Sequence, residues 1–333
     1  LKSVLGSGKS PCRTLVFANT NAMLRLCLVL WMVVKAHLAH SSMRSDWCES
    51  DVQGMLQLVK PTHDVPAKGP VAGTEATNLL NTSSPRPEVE TEVDKVNITT
   101  FQWEPHWQCA EADAACTAAA QQTFLNLVQE SGAQIAAALE LKDASTVLPD
   151  WSSSKEYEDA VSIMVAPGWQ VQKEGGGNIC CNGQRGLAVM LVKPPFPVAN
   201  CDQLCLMAVH PGHYPIESGS EIVEDVCGSV RTMCAIALGD WNVDAAGVMG
   251  GAFNSWERLV GGNPPVFVVP NAETCCHPST CCRFDHLATN IPGALANHVK
   301  VWDYQLLDQF SMDEEHMPVS VHFTVPLQVA LVK

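Results

Sequence analysis

Basic side chains are scarce in this sequence, which has 20 lysine and arginine residues against 35 aspartate and glutamate residues and a formal net charge of −15 at pH 7. The first 42 residues hold five of the basic residues and no acid, so the remainder is more acidic still. Such a surface repels phosphate backbones. The composition therefore argues against a tight, non-specific binder of duplex DNA.

Long apolar runs are nearly absent, which leaves no segment suited to cross a membrane beyond the N-terminal region. There, residues 26–34 form a short apolar run that follows Met23 and an arginine. A charged start before a short apolar core is typical of a secretory signal peptide, and the run is too short to span a bilayer comfortably. We therefore predict an upstream segment plus signal peptide over residues 1–42. The alternatives are a short membrane anchor and a true start at Met43.

Cysteine, in contrast, is abundant, with 15 residues, six of which form three adjacent pairs. The pairs are Cys180-Cys181, Cys275-Cys276 and Cys281-Cys282. Secreted chains use cysteine in this way as a disulfide framework. The double pair across 275–282 is open to a second interpretation as a zinc site, although its spacing matches no common zinc module. For Cys205 and Cys234, which lie in apolar strand-like runs, we expect reduced, buried thiols.

The predicted location follows from these features together. Two glycosylation sequons, which begin at Asn81 and Asn97, agree with a secretory route. We expect a secreted glycoprotein or a resident of the secretory-pathway lumen, with membrane association only through an uncleaved N-terminal segment.

The composition and hydrophobic pattern of the chain change near residue 95. Residues 43–95 are polar and proline-containing without a sustained period, which predicts a poorly ordered linker or arm. Residues 96–333 mix strand and helix patterns and predict one catalytic domain without internal repeats. The predicted strands are 97–103, 133–140, 159–165, 186–192, 204–210, 233–240, 266–269, 284–289 and 319–325, and the predicted helices are 110–130 and one that starts at the Ser218–Glu221 capping box. The glycine-rich stretch 175–178 lacks the lysine of a phosphate-binding loop and is predicted to be a hairpin turn.

Several predicted strands end in an ionisable residue. Burying a charge at a strand end costs desolvation free energy unless a partner or a function compensates. One such residue has an ordinary structural explanation, but five in one domain indicate a site. The five are Glu140, His210, Asp240, Asp285 and His316.

The order of these motifs is specific. It runs Ala-Leu-Glu140, Met-Ala-Val-His210, Gly-Asp240-Trp-Asn242, Arg-Phe-Asp285-His and Glu-Glu315-His316-Met-Pro-Val. Over residues 96–333 it resembles the endonuclease/exonuclease/phosphatase superfamily, the deoxyribonuclease-like fold. The resemblance implies an α/β (α+β type) four-layer sandwich, in which two packed mixed β-sheets are flanked by helices and the strand ends meet in one cleft.

The resemblance also implies a metal site. Glu140 is the expected ligand of Mg²⁺, with Mn²⁺ or Ca²⁺ as alternatives, because hard cations prefer oxygen ligands. Gln102 and Glu315 are further expected ligands, and both depart from the family, which usually has asparagine and aspartate at these positions.

The remaining residues have catalytic roles by the same resemblance. Asp240 would orient or activate the attacking water, and His316 would act as general base or electrostatic stabiliser, with Asp285 orienting its ring. Asn242 would donate to a phosphate oxygen. His210 would stabilise developing charge or protonate the leaving oxygen.

The sequence therefore predicts a divalent-metal-dependent phosphoester hydrolase, most simply a nuclease-type phosphodiesterase. The phosphoester substrate is a nucleic acid or, as an alternative on the same fold, a phospholipid headgroup or a sugar, inositol or other small phosphate ester. The departures at Gln102 and Glu315 favour a further alternative, a catalytically inactive binding module. No stable protein partner is predicted.

Overall fold

The computed structural model describes residues 94–112, 114–180, 185–211, 216, 218–229, 233–242, 251–261, 265–277, 280–304, 310 and 315–328. They all belong to the unit Met55–Lys333. The predicted upstream segment and signal peptide, and nearly all of the predicted linker, lie outside the described residues.

The first large sheet has six strands in the order β13-β15-β1-β2-β4-β3. Their bounds are β1 Lys95–Trp103, β2 Ile135–Ala138, β3 Ser152–Ser153, β4 Ser162–Val165, β13 Leu295–Val301 and β15 Val319–Pro326. Strands β1 and β2 are parallel, and the other neighbours are antiparallel.

The second large sheet also has six strands, in the order β5-β6-β7-β8-β12-β9. Their bounds are β5 Gln170–Cys180, β6 Arg185–Lys193, β7 Leu204–Val209, β8 Cys234–Asp240, β9 Val266–Val268 and β12 Asp285–Thr289. Only β7 and β8 are parallel. A small third sheet joins β11 Thr280–Cys282, β10 Cys275–His277 and β14 Glu315–His316.

The main core lies between the two large sheets. Ile98, Ile135 and Ile163 from the first sheet pack in one buried cluster with Leu206 and Ile236 from the second. Alternate residues of each strand point to this shared face because successive side chains in a strand point to opposite sides.

Helices cover the outer faces of the sheets. Their bounds are α1 Trp107–Ala112, α2 Ala114–Ser131, α3 Ala144–Val147, α4 Ser220–Cys227 and α5 Gly251–Leu259. Phe124 of α2 packs on Phe101 of the first sheet, while Val223 of α4 and Trp256 of α5 belong to the cluster on the second sheet. The four layers confirm the predicted fold class.

Two local predictions are wrong. Residues 175–178 are not a hairpin turn but part of β5, paired with β6. Glycine is needed here because other groups approach the backbone closely. A Cβ at Gly176 would lie 2.4 Å from the Leu187 carbonyl oxygen and 2.4 Å from the Tyr157 ring. The capping box is also absent: the cap of α4 is Gly219 without a side-chain hydrogen bond, and the Ser218 hydroxyl donates to the Asn178 carbonyl instead.

The disulfide framework is confirmed in part and corrected in part. Four disulfides lie among the described residues: Cys109–Cys116, Cys201–Cys234, Cys205–Cys227 and Cys276–Cys281. The double cysteine pair of 275–282 thus contains a disulfide across the β10–β11 hairpin. The expectation of reduced thiols at Cys205 and Cys234 is wrong, because partners distant in sequence face both of them. Such bonds are consistent with an oxidising compartment.

In the part of the chain that the structure describes, no helix combines the length and apolar character needed to cross a bilayer.

The backbone before Asp240 depends on glycine, which gives a first prediction. Gly239 has φ +153°, and a Cβ there would lie 1.9 Å from the Val209 carbonyl oxygen of the neighbouring strand. We expect Gly239→Ala to lower the free energy of unfolding by about 2–4 kcal/mol, because strand backbone must move apart. Gly132→Ala is the control, since Gly132 has φ +65° with open space around it, and should cost only about 1–2 kcal/mol. Equal losses in urea denaturation would contradict the role of close strand approach.

Candidate active site

Strand ends from both large sheets meet at one edge of the sandwich. The first sheet supplies Glu104, directly after β1, and Glu140, two residues after β2. The second sheet supplies His210 after β7 and Asp240 at the end of β8, with Asp285 directly opposite Asp240 on β12. Together with His316 of β14 these side chains are buried, each 4% exposed or less. The structure therefore brings together all five residues that the strand-end pattern singled out.

Glu104 lies at the centre of this group and was not among the predicted site residues. Its Oε1 lies 3.8 Å from His316 Nε2, and its Oε2 lies 3.5 Å from His210 Nε2. The signal that could have found it is the one that found Glu140: an acid immediately after a buried strand. The search for an amide on the strand itself drew attention to Gln102 instead.

His316 and Asp285 form a hydrogen-bonded pair. The His316 Nδ1 lies 3.0 Å from Asp285 Oδ2, and the Trp103 indole donates to the His316 carbonyl oxygen at 2.8 Å. Burial alone would lower the His316 pKa, but the nearby Cys275 sulfur, Glu104 and Asp285 outweigh it and raise the pKa well above its usual value. These neighbours favour the protonated form of the ring, whose Nε2 lies 3.8 Å from Glu104 Oε1.

His210 is held in the opposite protonation state. Burial and the adjacent Arg185 guanidinium lower its pKa to about 3, so the ring is neutral. Its Nδ1 lies 3.2 Å from Asp159 Oδ2, and Arg185 Nη1 lies 2.7 Å from its Nε2. These contacts favour the tautomer with the proton on Nδ1. In that state Nε2 has no proton to give to a leaving oxygen.

Arg185 and Asp159 also escaped the sequence interpretation. Arg185 Nη1 lies 3.1 Å from Asp159 Oδ2 and 3.4 Å from Glu140 Oε1, with side-chain exposures of 18%, 22% and 4% for the three residues. Arg185 supplies the positive charge that partly compensates the acids, and the negative groups around it raise its pKa against the effect of burial. It begins β6, a position that no strand-end rule marks.

Asn242 fixes the Asp240 carboxylate. Its backbone NH donates to Asp240 Oδ1 at 2.7 Å, and its side-chain Nδ2 donates to Asp240 Oδ2 at 2.6 Å and to the Pro211 carbonyl at 2.7 Å. Both amide hydrogens of Asn242 are thus used within the protein. The structure shows it positioning Asp240, and its predicted donation to a phosphate oxygen stays a prediction.

Gln102 and Glu315 lie outside this arrangement. The Gln102 amide spans the two sheets, because its Oε1 accepts from the Gly239 NH at 3.0 Å and its Nε2 donates to the Gly239 carbonyl at 3.1 Å. Glu315 precedes His316 on β14, so its side chain points to the opposite face, and it pairs through the backbone with Cys276. The metal-ligand roles of Gln102 and Glu315 stay predictions, and Glu104 is the additional carboxylate that lies among the buried acids.

The carboxylates fit a divalent cation. Glu104 Oε2, Glu140 Oε2 and Asp285 Oδ1 are buried oxygens without a hydrogen-bond donor among the described residues, a costly state for a carboxylate. Two groups of three ligand atoms lie within 4.8 Å of one another: Glu104 with Asp240 and His316, and Glu104 with Glu140 and His210. Most of these atoms are the hard oxygen donors that Mg²⁺ prefers.

The protein alone stabilises these acids poorly. Burial and the Asp159 carboxylate raise the Glu140 pKa to about 7, despite the opposing effect of Arg185. Burial also raises the Asp240 pKa to about 7, with Asp285 adding to it and His316 opposing it. The Glu104 pKa is raised well above its usual value, chiefly by burial. Added positive charge at this point would restore the ionised forms at neutral pH.

The raised Glu140 pKa gives a second prediction. The folded state holds its proton from the ordinary value of 4.5 up to about 7, so its contribution to stability is present below pH 4.5 and lost as pH rises through 7. In the presence of EDTA, Glu140→Gln should therefore become more stable relative to the parent by up to about 3 kcal/mol between pH 4.5 and 8. Urea unfolding of both proteins across that range is the measurement. If the difference in unfolding free energy between the two proteins did not change with pH, the raised pKa of Glu140 in the folded state would be contradicted.

Comparison with known proteins gives similarity in fold only. No protein-family profile matches the sequence, and no curated protein matches it. Solved structures do match. They include D. rerio TDP2 complexed with single strand DNA product, at 15% identity and a TM-score of 0.48 over 68% of this chain and 98% of that chain. An endonuclease/exonuclease/phosphatase from Bacteroides vulgatus matches at 12% identity and a TM-score of 0.47 over 70% of this chain and 100% of that chain.

The catalytic domain of human Nocturnin with bound sulfate matches at 11% identity and a TM-score of 0.45 over 70% of this chain and 97% of that chain. At this level of similarity, the chemistry has to come from the side chains of this chain alone. The solved structures that match thus include a protein of the endonuclease/exonuclease/phosphatase superfamily, which is the superfamily that the motif order of this sequence resembles.

Proposed function

We propose that this protein is a divalent-cation-assisted hydrolase of phosphoesters, with nuclease-type phosphodiester hydrolysis as the leading activity. The observation that carries the proposal is the buried group of Glu104, Glu140 and Asp240 beside two buried histidines whose pKa values are shifted in opposite directions. A cluster of buried carboxylates costs folding free energy, and such clusters are typical of sites that bind a cation and an anionic substrate.

The proposed cation ligands are Glu104 and Glu140, with Asp240 close by. Their oxygens include two that are buried without a donor among the described residues, and Mg²⁺ suits such oxygens better than softer ions do. A bound Mg²⁺ would supply positive charge that offsets the charge of the phosphoryl oxygens during displacement. It would also lower the raised pKa values of the carboxyl groups that hold it.

His316 is proposed to stabilise charge rather than to accept a proton. Its pKa is raised well above the usual value, so at neutral pH Nε2 carries a hydrogen that can be donated to a phosphate oxygen. Asp285 accepts from Nδ1 at 3.0 Å and keeps the ring oriented. Of the two roles that the sequence left open, electrostatic stabiliser and general base, this protonation state supports the first.

Asp240 is proposed to orient the attacking water. Asn242 holds both of its oxygens, and a carboxylate fixed in this way keeps one direction for accepting a hydrogen bond. Its pKa of about 7 also suits proton acceptance near neutral pH. His210 joins the site as a neutral ring that Asp159 orients.

Catalysis gives the third prediction, with a phosphoester panel assayed with and without EDTA. We expect Asp240→Asn and His316→Gln to lower kcat by about 10²–10⁴-fold, with near-UV circular dichroism unchanged. EDTA should abolish turnover, and Mg²⁺ should restore it. Full turnover in EDTA, or in either folded variant, would refute the assigned roles.

The proposal that Glu104, rather than Gln102, is a cation ligand is tested with the same assay. Glu104→Gln should raise the Mg²⁺ concentration needed for half-maximal activity by about tenfold or more, since a carboxylate ligand is lost. Calorimetry of Mg²⁺ and Mn²⁺ binding separates this proposal from the inactive binding module. No cation binding to the parent protein would support the inactive module instead.

A small or lipid phosphoester is the second candidate substrate, favoured by the net charge of −15. A protein that follows a nucleic-acid backbone neutralises many phosphates and weakens steeply as salt rises. The fourth prediction therefore concerns KM between 50 and 200 mM NaCl. If the substrate is a nucleic acid, its KM should rise by about tenfold or more over this range. The second candidate would be favoured if a headgroup or sugar phosphate turned over faster than nucleic acid and its KM did not change with salt.

A further inference from the structure

A second group of metal-binding side chains lies on the first sheet, apart from the strand ends of the active site. His298 on β13 and His322 on β15 are directly opposite each other in the antiparallel ladder. Their rings are stacked, with centroids 5.8 Å apart and planes inclined by 25°. We propose that this histidine pair is a surface binding site for a divalent transition cation such as Cu²⁺ or Zn²⁺.

The spacing of the rings suits a shared ion. An imidazole nitrogen binds Zn²⁺ at about 2.0–2.1 Å, which places two ring centroids about 5–6 Å apart when both rings occupy neighbouring corners of a tetrahedron. The observed 5.8 Å lies within that range. Because the stacked planes are inclined by only 25°, the rings have to turn about their side-chain bonds before both nitrogens face one ion. Imidazole is a preferred ligand of Zn²⁺ and Cu²⁺ and a poor one for Mg²⁺.

Thr99 orients one of the two ligands. The three side chains form one row across neighbouring strands, because Thr99 of β1 pairs with His322 of β15, which pairs with His298. The Thr99 hydroxyl lies 2.9 Å from His322 Nδ1. A hydroxyl that accepts the Nδ1 proton leaves the Nε2 lone pair for the ion, the arrangement that metal-binding histidines commonly use.

The surroundings leave the pair accessible. His298 is exposed and His322 is half-buried. They lie on the edge strand β13 and on its neighbour β15, respectively. Lys300 is on the same face of β13, where its ammonium lies 3.0 Å from the centroid of the Trp302 ring and 4.0 Å from Glu130 Oε1.

The test uses the full chain and Cu²⁺ carried by iminodiacetate, a chelator that leaves coordination positions for two imidazoles. We expect binding with a spin-resonance signal of two imidazole nitrogens, and a loss of affinity of about tenfold or more in His298→Ala. Lys300→Gln is the matched control on the same strand and face, and it should bind as the parent does or more tightly.

Thr99→Val tests the positioning role without removing a ligand. It should weaken binding by about 10–100-fold while preserving the two-nitrogen signal at saturation. Because His298 is exposed, its variant should fold normally, and unchanged near-UV circular dichroism checks this. Equal affinity of the parent and His298→Ala would overturn the proposal, and phosphoesterase activity has no part in that outcome.

Discussion

The burial of several carboxylates in one small volume is the constraint on which the site depends. Glu104, Glu140, Asp240 and Asp285 are each 4% exposed or less, and they converge from four strands of two sheets. Loss of solvation is the main cause of the raised pKa values of Glu104, Glu140 and Asp240, and neighbouring carboxylates add to it. The proposed divalent cation would reconcile burial with ionisation.

The same constraint explains why the pKa values of two histidines in one small volume are shifted in opposite directions. His316 faces Glu104 and Asp285, and its pKa is raised against the effect of burial. Burial and the adjacent Arg185 lower the His210 pKa to about 3. Residue type alone does not set these shifts, because the neighbours that cause them come from other strands.

The sequence predicted the layers and most strands because their signals are local. Apolar runs such as 204–210 and 233–240 gave β7 and β8, and the strand-end acids and histidines gave five residues of the site. Predictions that depended on partners distant in sequence were wrong. The thiols of Cys205 and Cys234 form disulfides with residues distant in sequence. Gly176 of β5 allows the close approach of Tyr157, which no local pattern shows.

The bridge from Gln102 to Gly239 has a consequence for how the site is assembled. Both backbone polar groups of Gly239 bind one side chain of the opposite sheet, directly before Asp240 and two residues before Glu104 on the respective strands. The acids of one layer are thereby set in register with those of the other. Neither large sheet holds the whole group of buried ionisable side chains, so the group forms only where the two sheets pack together.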